Sequence, residues 1–273
     1  MPLLNGKIIA AQIRSSLKDY IEHLPKKPGL AVILVGNDPA SHLYVSLKEK
    51  ACLSVGIHFE KYLFPTSATA EEILNKINEL NHRQNVDGIL VQLPLPNQDT
   101  DKIIAAIEPK KDVDGFHPEN LQNLENNKPG IISPVVLGVM NLLETTNEPL
   151  AGKKAALVMS KIFAQPFEAI LSHKKITTEI ISAEIPNLKD KIKNSDIIIT
   201  AVGKPNLITG EMIKNGAIII DVGTTRVGSK VVGDVDQSSV EPVAGWLTPV
   251  PGGVGPMTVA MLLRNVVEMS SKN

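Results

Sequence analysis

Along this chain, apolar residues at helical spacing alternate with short runs that are apolar at every position. Ile8, Ile9, Ile13 and Leu17 mark an opening helix, and Gly29 to Gly36 (GLAVILVG) follows as an unbroken apolar run. Such a run suits a parallel strand covered on both faces. A helix over Asp38–Gly56 comes next, with Leu43, Leu47, Ala51 and Val55 as the face expected to meet a core. Strand candidates at Ile57–Phe64 and Val86–Val91 enclose a helix over Ala68–Asn81, whose apolar side is Ile73, Leu74, Ile77 and Leu80. A helical pattern from Ser133 (Val136, Val139, Met140, Leu143) leads into a second series of runs at Ala155–Val158, Ile176–Ile181, Asp196–Val202 and Ala217–Val222. This alternation predicts right-handed crossovers and open parallel sheets, with ligands beyond the carboxyl ends of the strands.

The Asp38–Gly56 helix has both ends written in its sequence. Asp38 can cap it, Pro39 suits its first turn, and Gly56 can take the left-handed conformation that stops it. On it Tyr44 and Lys48 stand one turn apart, and a phenol beside an amine can share a proton in acid/base chemistry. On spacing alone a solvated lysine above a half-buried tyrosine is the better reading, because such pairs are common on helices. Two further stretches fall where a parallel sheet places its ligands, and a third is marked by its composition. Gln92–Pro96 (QLPLP) leaves a strand on a ledge stiffened by two prolines. Lys111–Pro118 (KDVDGFHP) carries two acids and a turn glycine, and a turn bonding its own backbone explains that pair better than a metal. Leu247–Val259 (LTPVPGGVGPMTV) combines glycines and prolines ahead of a helical run, which lets backbone approach a ligand closely.

At 273 residues there is room for two ordinary domains, and 28 Lys plus Arg against 29 Asp plus Glu leave no bulk field for a polyanion. Nucleic acid is therefore not an expected partner. Cys52 is the only cysteine, so no internal disulfide can form, which fits a reducing compartment. The opening residues contain Lys7 and Arg14 and no long apolar run, so a cytoplasmic protein without a membrane segment is expected.

SHLYVSLKEKA, DGILVQLPLP, KDVDGFHP, AVGKP, GAIIIDVG, VVGDVD and TPVPGGVGPMT, in this order, closely resemble the bifunctional methylenetetrahydrofolate dehydrogenase/methenyltetrahydrofolate cyclohydrolase family over nearly the whole chain. The resemblance implies an α/β fold of two domains. Residues 1–135, joined by a C-terminal helix at about 256–273, would form a three-layer folate-binding catalytic domain, and residues 136–255 a Rossmann-like doubly wound cofactor domain. A folate cleft would lie between them, in a homodimer. The family oxidises 5,10-methylenetetrahydrofolate with NADP and hydrolyses the methenyl product to 10-formyltetrahydrofolate at one site, without a metal. By the same resemblance Lys48 is the general acid/base, Tyr44 stands beside it and Gln92 places it. Asp114 holds the pterin, and Leu93, Pro251 and Gly252 line its pocket. This reverses the reading of the Tyr44 and Lys48 pair that spacing alone allows.

The cofactor half departs from the family pattern. Where the family has Gly-Arg-Ser and then Val-Gly-x-Pro, this chain has Val158, Met159 and Ser160, then Phe163, Ala164, Gln165 and Pro166. Met159 supplies neither the glycine's close approach nor the arginine's charge for a 2′-phosphate. Where His-Ser precedes a basic or polar residue, the chain has Ser182, Ala183 and the acidic Glu184. Val202, Gly203, Thr225 and Thr258 match cofactor-side positions. Three readings follow: a bifunctional enzyme whose altered pocket binds NADP weakly, a cyclohydrolase with a decayed redox half, or a folate-binding protein without turnover. Losing two or three charged phosphate contacts of about 1.5–3 kcal/mol each would weaken NADP by several orders of magnitude.

Overall fold

The computed structural model describes residues 3–271 and divides the chain into two compact units. One comprises Ala11–Pro134 with the residues from Val259 on, and the other the chain up to Ala10 with Val135–Thr258.

In the first unit, β1 (Gly29–Val35) is flanked by β2 (His58–Phe64) and β3 (Gly88–Val91), all parallel. Every β1 residue is buried, as a run apolar on both faces requires. One face carries α2 (Pro39–Val55) and the later part of α10 (Val254–Ser270), where Val45, Cys52, Val55, Leu262 and Val266 meet β1. The other carries α3 (Ala70–His82), whose Ile73, Ile77 and Leu80 are fully enclosed. Burial drives the Cys52 thiol up to about 12, which keeps it protonated and unreactive.

Both ends of α2 follow from local chemistry. The Asp38 carboxylate accepts from the Ser41 N–H and hydroxyl at 2.8 Å each, and Gly56 takes φ 91° at the stop. Its buried face matches the expected one only in part, since Val55 is buried and Ala51 packs against the core. Leu43 and Leu47 are 54% and 47% exposed, while Ser41, Val45, Cys52 and Val55 face inward. The three-to-four spacing fits two adjoining stripes of this helix, and packing selects the one carrying the smaller side chains.

The second unit holds β4 (Lys154–Met159), β5 (Thr177–Ile181), β6 (Ile197–Ala201), β7 (Ile218–Asp221) and, beyond a short hairpin, β10 (Trp246–Leu247). They form one parallel sheet ordered β10-β7-β6-β4-β5. Strand β4 is thus flanked by β5 on one side and β6 on the other. Winding reverses there, which defines the crevice where such sheets bind ligands. The hairpin, β8 (Thr225–Val227) with β9 (Lys230–Val232), is antiparallel and had no counterpart in the hydrophobic pattern because its residues are mostly exposed.

Candidate active site

Lys48 lies midway along α2 and donates from Nζ to the Gln92 Oε1 at 3.0 Å. Gln92 begins where β3 ends. Its backbone N–H extends the ladder to Ile33 and its side-chain amide donates to the Leu93 carbonyl at 2.8 Å, so the oxygen presented to Lys48 is fixed in direction. Leu93 itself packs partly buried against the core beneath. Asp114 arrives from a segment that bridges β3 at Ile89 and Asp112, which brings it level with the carboxyl end of that strand. Burial raises the Asp114 carboxyl above its usual range, Lys48 pulls it back, and Asp112 adds to the rise. No hydrogen bond to the half-buried Asp114 carboxyl occurs among the described residues. Tyr44 is 48% exposed. Among the described residues it shares no hydrogen bond with Lys48, so the direct partner of the amine is Gln92 rather than the phenol.

The loop bearing Asp114 is anchored by residues the hydrophobic pattern left unassigned. Asn265 of α10, 4% exposed, donates to the Val113 and Ile132 carbonyls at 3.0 and 2.9 Å. Gly115 has φ 69°, and a Cβ there would lie 2.7 Å from the Ser133 nitrogen, so this turn admits only glycine. Asp112 accepts from the His117 N–H and from Asn120, the self-bonded turn expected in preference to a metal site. Lys111, whose pKa burial lowers, donates to the carbonyls of Leu80, Asn81 and Arg83 and so closes the end of α3. His117 accepts from the Glu119 N–H at the start of a short helix, a structural use.

Pro251 and Gly252 belong to the other unit. Gly252 takes φ 114°, and its carbonyl accepts from the Lys7 N–H at 2.9 Å. In that unit Ser160 follows β4 and caps α7 (Lys161–His173), its hydroxyl accepting from the Phe163 N–H at 3.4 Å. Val158 and Met159 are 0% and 3% exposed, so their side chains are core and a ligand meets only their backbone. Phe163 meets Phe167 with ring centroids 5.6 Å apart and tilted by 57°, and Ala164 is buried, so these two departures from the family pattern are apolar groups packed on α7; the retained Pro166 is buried as well.

The turn after β6 is tied to one buried carboxylate. Asp234, 0% exposed, accepts from the N–H groups of Val202, Gly203 and Lys204 at 2.6, 2.9 and 2.9 Å and from the Thr200 hydroxyl at 2.9 Å. Its neighbour Asp221 is pushed up to about 6 by burial, although it accepts N–H bonds from Gly223, Asp234 and Val235. A Cβ on Gly223 would come within 2.3 Å of Asp234, and one on Gly233 within 1.9 Å of Asp221. The glycines of DVG and GDVD are what let these carboxylates pack. Thr225 opens the hairpin near Gly203, and the Thr258 hydroxyl donates to the Val254 carbonyl one turn back on α10. Ala183 and Glu184 follow β5, Ala183 packed partly buried and Glu184 paired with Lys204.

A nicotinamide dinucleotide fits this unit by position, at the ends of β4 and β6. Met159 ends β4, Lys161 follows it at the start of α7, and Glu184 follows β5. Among the described residues, no three His, Cys, Asp or Glu side chains group as a metal site would need, and no helix is long and apolar enough to cross a membrane.

The chain is thus a two-unit α/β protein, one parallel-sheet unit carrying the Lys48 amine on the Gln92 amide near the Asp114 carboxyl, the other a doubly wound five-stranded sheet. Residues 4–114 match the catalytic domain of the tetrahydrofolate dehydrogenase/cyclohydrolase family and residues 133–273 its NAD(P)-binding domain, and the chain belongs to that family. It is 46% identical over 278 aligned positions to a bifunctional protein FolD of Nitratiruptor sp., covering 100% of this chain and 99% of that one. The solved bifunctional enzyme of Campylobacter jejuni superposes with a TM-score of 0.96 at 41% identity, covering 100% and 99% of the two chains. The Trypanosoma brucei enzyme, solved with NADP cofactor and an inhibitor, gives 0.94 at 33% identity, again over 100% and 99%. The protein is accordingly a methylenetetrahydrofolate dehydrogenase and methenyltetrahydrofolate cyclohydrolase, an oxidoreductase and a hydrolase of one-carbon folate metabolism.

Proposed function

We propose that Lys48 is the proton-transfer group of the hydrolytic step, with Gln92 orienting it and Asp114 holding the folate. The observation that carries this reading is the 3.0 Å bond from Lys48 Nζ to Gln92, close to a carboxyl raised by burial and unpaired with any described donor. Water adding to the methenyl carbon must lose a proton, and the ring nitrogen that leaves must gain one. An amine held in place by a neutral amide oxygen is positioned to do both. Asp114 suits a pterin because a carboxylate accepts two parallel N–H donors. Tyr44 borders the site from the next turn of α2, and Leu93, Pro251 and Gly252 are assigned to the folate pocket. Bound dinucleotide supplies the hydride acceptor for the oxidative half. Ser160, Ala183, Val202, Gly203, Thr225 and Thr258, with the backbone of Val158 and Met159, are assigned to hold it, NADP through an altered pocket being the reading the sequence suggested.

The test is Asp114→Asn, which replaces one acceptor oxygen with a donor. Loss of one charged hydrogen bond of about 1.5–3 kcal/mol should raise KM for methenyltetrahydrofolate by roughly 10–100-fold. Decay of the methenyl absorbance measures it, and an unchanged KM would take Asp114 out of the pocket.

A homodimer is supported by β2, an edge strand with Leu63 58% exposed, and by Leu53 on α2, 62% exposed. Sedimentation equilibrium giving a monomer at assay concentration would remove that assignment. A reducing, cytoplasmic setting is supported by the one buried, unpaired thiol.

A further inference from the structure

Glu184 lies three positions beyond the end of β5, and Lys204 three beyond the end of β6. Because β4 lies between those strands, their ion pair spans the end of β4, across the crevice itself. Both ends of the pair are set by the fold. The Glu184 N–H donates to the Ser182 hydroxyl at 3.3 Å, and the Lys204 N–H is held by buried Asp234 at 2.9 Å. In a doubly wound unit of this kind, the position after the second strand meets the adenine ribose. An acid there bonds a free 2′-hydroxyl, whereas an arginine nearby accommodates a 2′-phosphate.

Resting on the reading that this unit binds a nicotinamide dinucleotide, we propose that the Glu184–Lys204 pair selects NAD over NADP. Glu184 accepts from the ribose hydroxyl of NAD and repels the phosphate of NADP. It also occupies Lys204, the cation that could otherwise neutralise that phosphate. Met159, buried at the end of β4, offers no charge in compensation. The N–H groups of Val202, Gly203 and Lys204 are already committed to Asp234 and cannot cradle the phosphate either. Lys161, exposed on the first turn of α7, is the remaining cation at the β4 end.

The experiment is calorimetric titration of the full-length protein with NAD, NADP, ADP-ribose and 2′-phospho-ADP-ribose, repeated with Glu184→Gln. The unaltered chain is expected to bind NAD at least tenfold tighter than NADP, and ADP-ribose tighter than its 2′-phosphate. Glu184→Gln, at an exposed position, should keep the fold, weaken NAD slightly and tighten NADP about tenfold or more as Lys204 is released. Preference of the unaltered chain for NADP, through Lys161 or Lys204, overturns the proposal while leaving the dinucleotide site in place. So does an NAD to NADP ratio unmoved by Glu184→Gln. Failure of all four ligands to bind overturns the dinucleotide reading, and the proposal with it.

Discussion

Lys48→Met is expected to lower methenyltetrahydrofolate hydrolysis by about 10²–10⁴-fold, the range a positioned acid/base group contributes. Methionine keeps the length and apolar stem of lysine but removes the proton-carrying nitrogen and the bond to Gln92. Lys48 is partly exposed on a helix whose caps and buried face lie elsewhere, so the melting temperature should change little. The loss should fall on kcat rather than KM, because the folate contact is assigned to Asp114. Hydrolysis at the unaltered rate would remove Lys48 from the mechanism, and a collapsed melting transition would show that the residue serves the fold instead.

Asp234→Ala is expected to cost about 3 kcal/mol of stability in urea unfolding and to weaken dinucleotide binding beyond that. One fully enclosed carboxylate satisfies three successive backbone N–H groups and a hydroxyl, and its removal leaves those donors without an acceptor. Partial replacement by water keeps the figure below the sum of four charged bonds. Stability within about 0.5 kcal/mol of the unaltered chain would show that the turn holds itself. The neighbouring Asp221 adds a pH signature to the same measurement. Its folded pKa of about 6 lies above the ordinary carboxyl value of 3.8, so the folded state holds this proton more tightly. Its contribution is therefore complete below about pH 4 and is lost as pH rises through 6, amounting to up to about 3 kcal/mol for a shift of about two units. Asp221→Asn does not titrate, so the gap between the two chains should move against the unaltered one from pH 4 to pH 7.

Both series of strands and the ends of α2 were legible in the sequence for a local reason, whereas Lys48, Gln92 and Asp114 were singled out by family resemblance. A parallel strand buried on two faces must be apolar throughout, and a helix end needs its capping side chain within a turn. Which stripe of α2 turns inward was a different kind of question, since Leu43 and Leu47 satisfy the same periodicity as Val45 and Cys52 and only packing volume separates them. Tertiary structure alone left Tyr44 without a hydrogen bond to Lys48, enclosed Asp234 among three turn N–H groups, brought Asn265 to the Asp114 loop and joined Glu184 to Lys204. Each of those contacts links positions far apart in the chain, and a hydrogen bond between distant residues leaves no period to read.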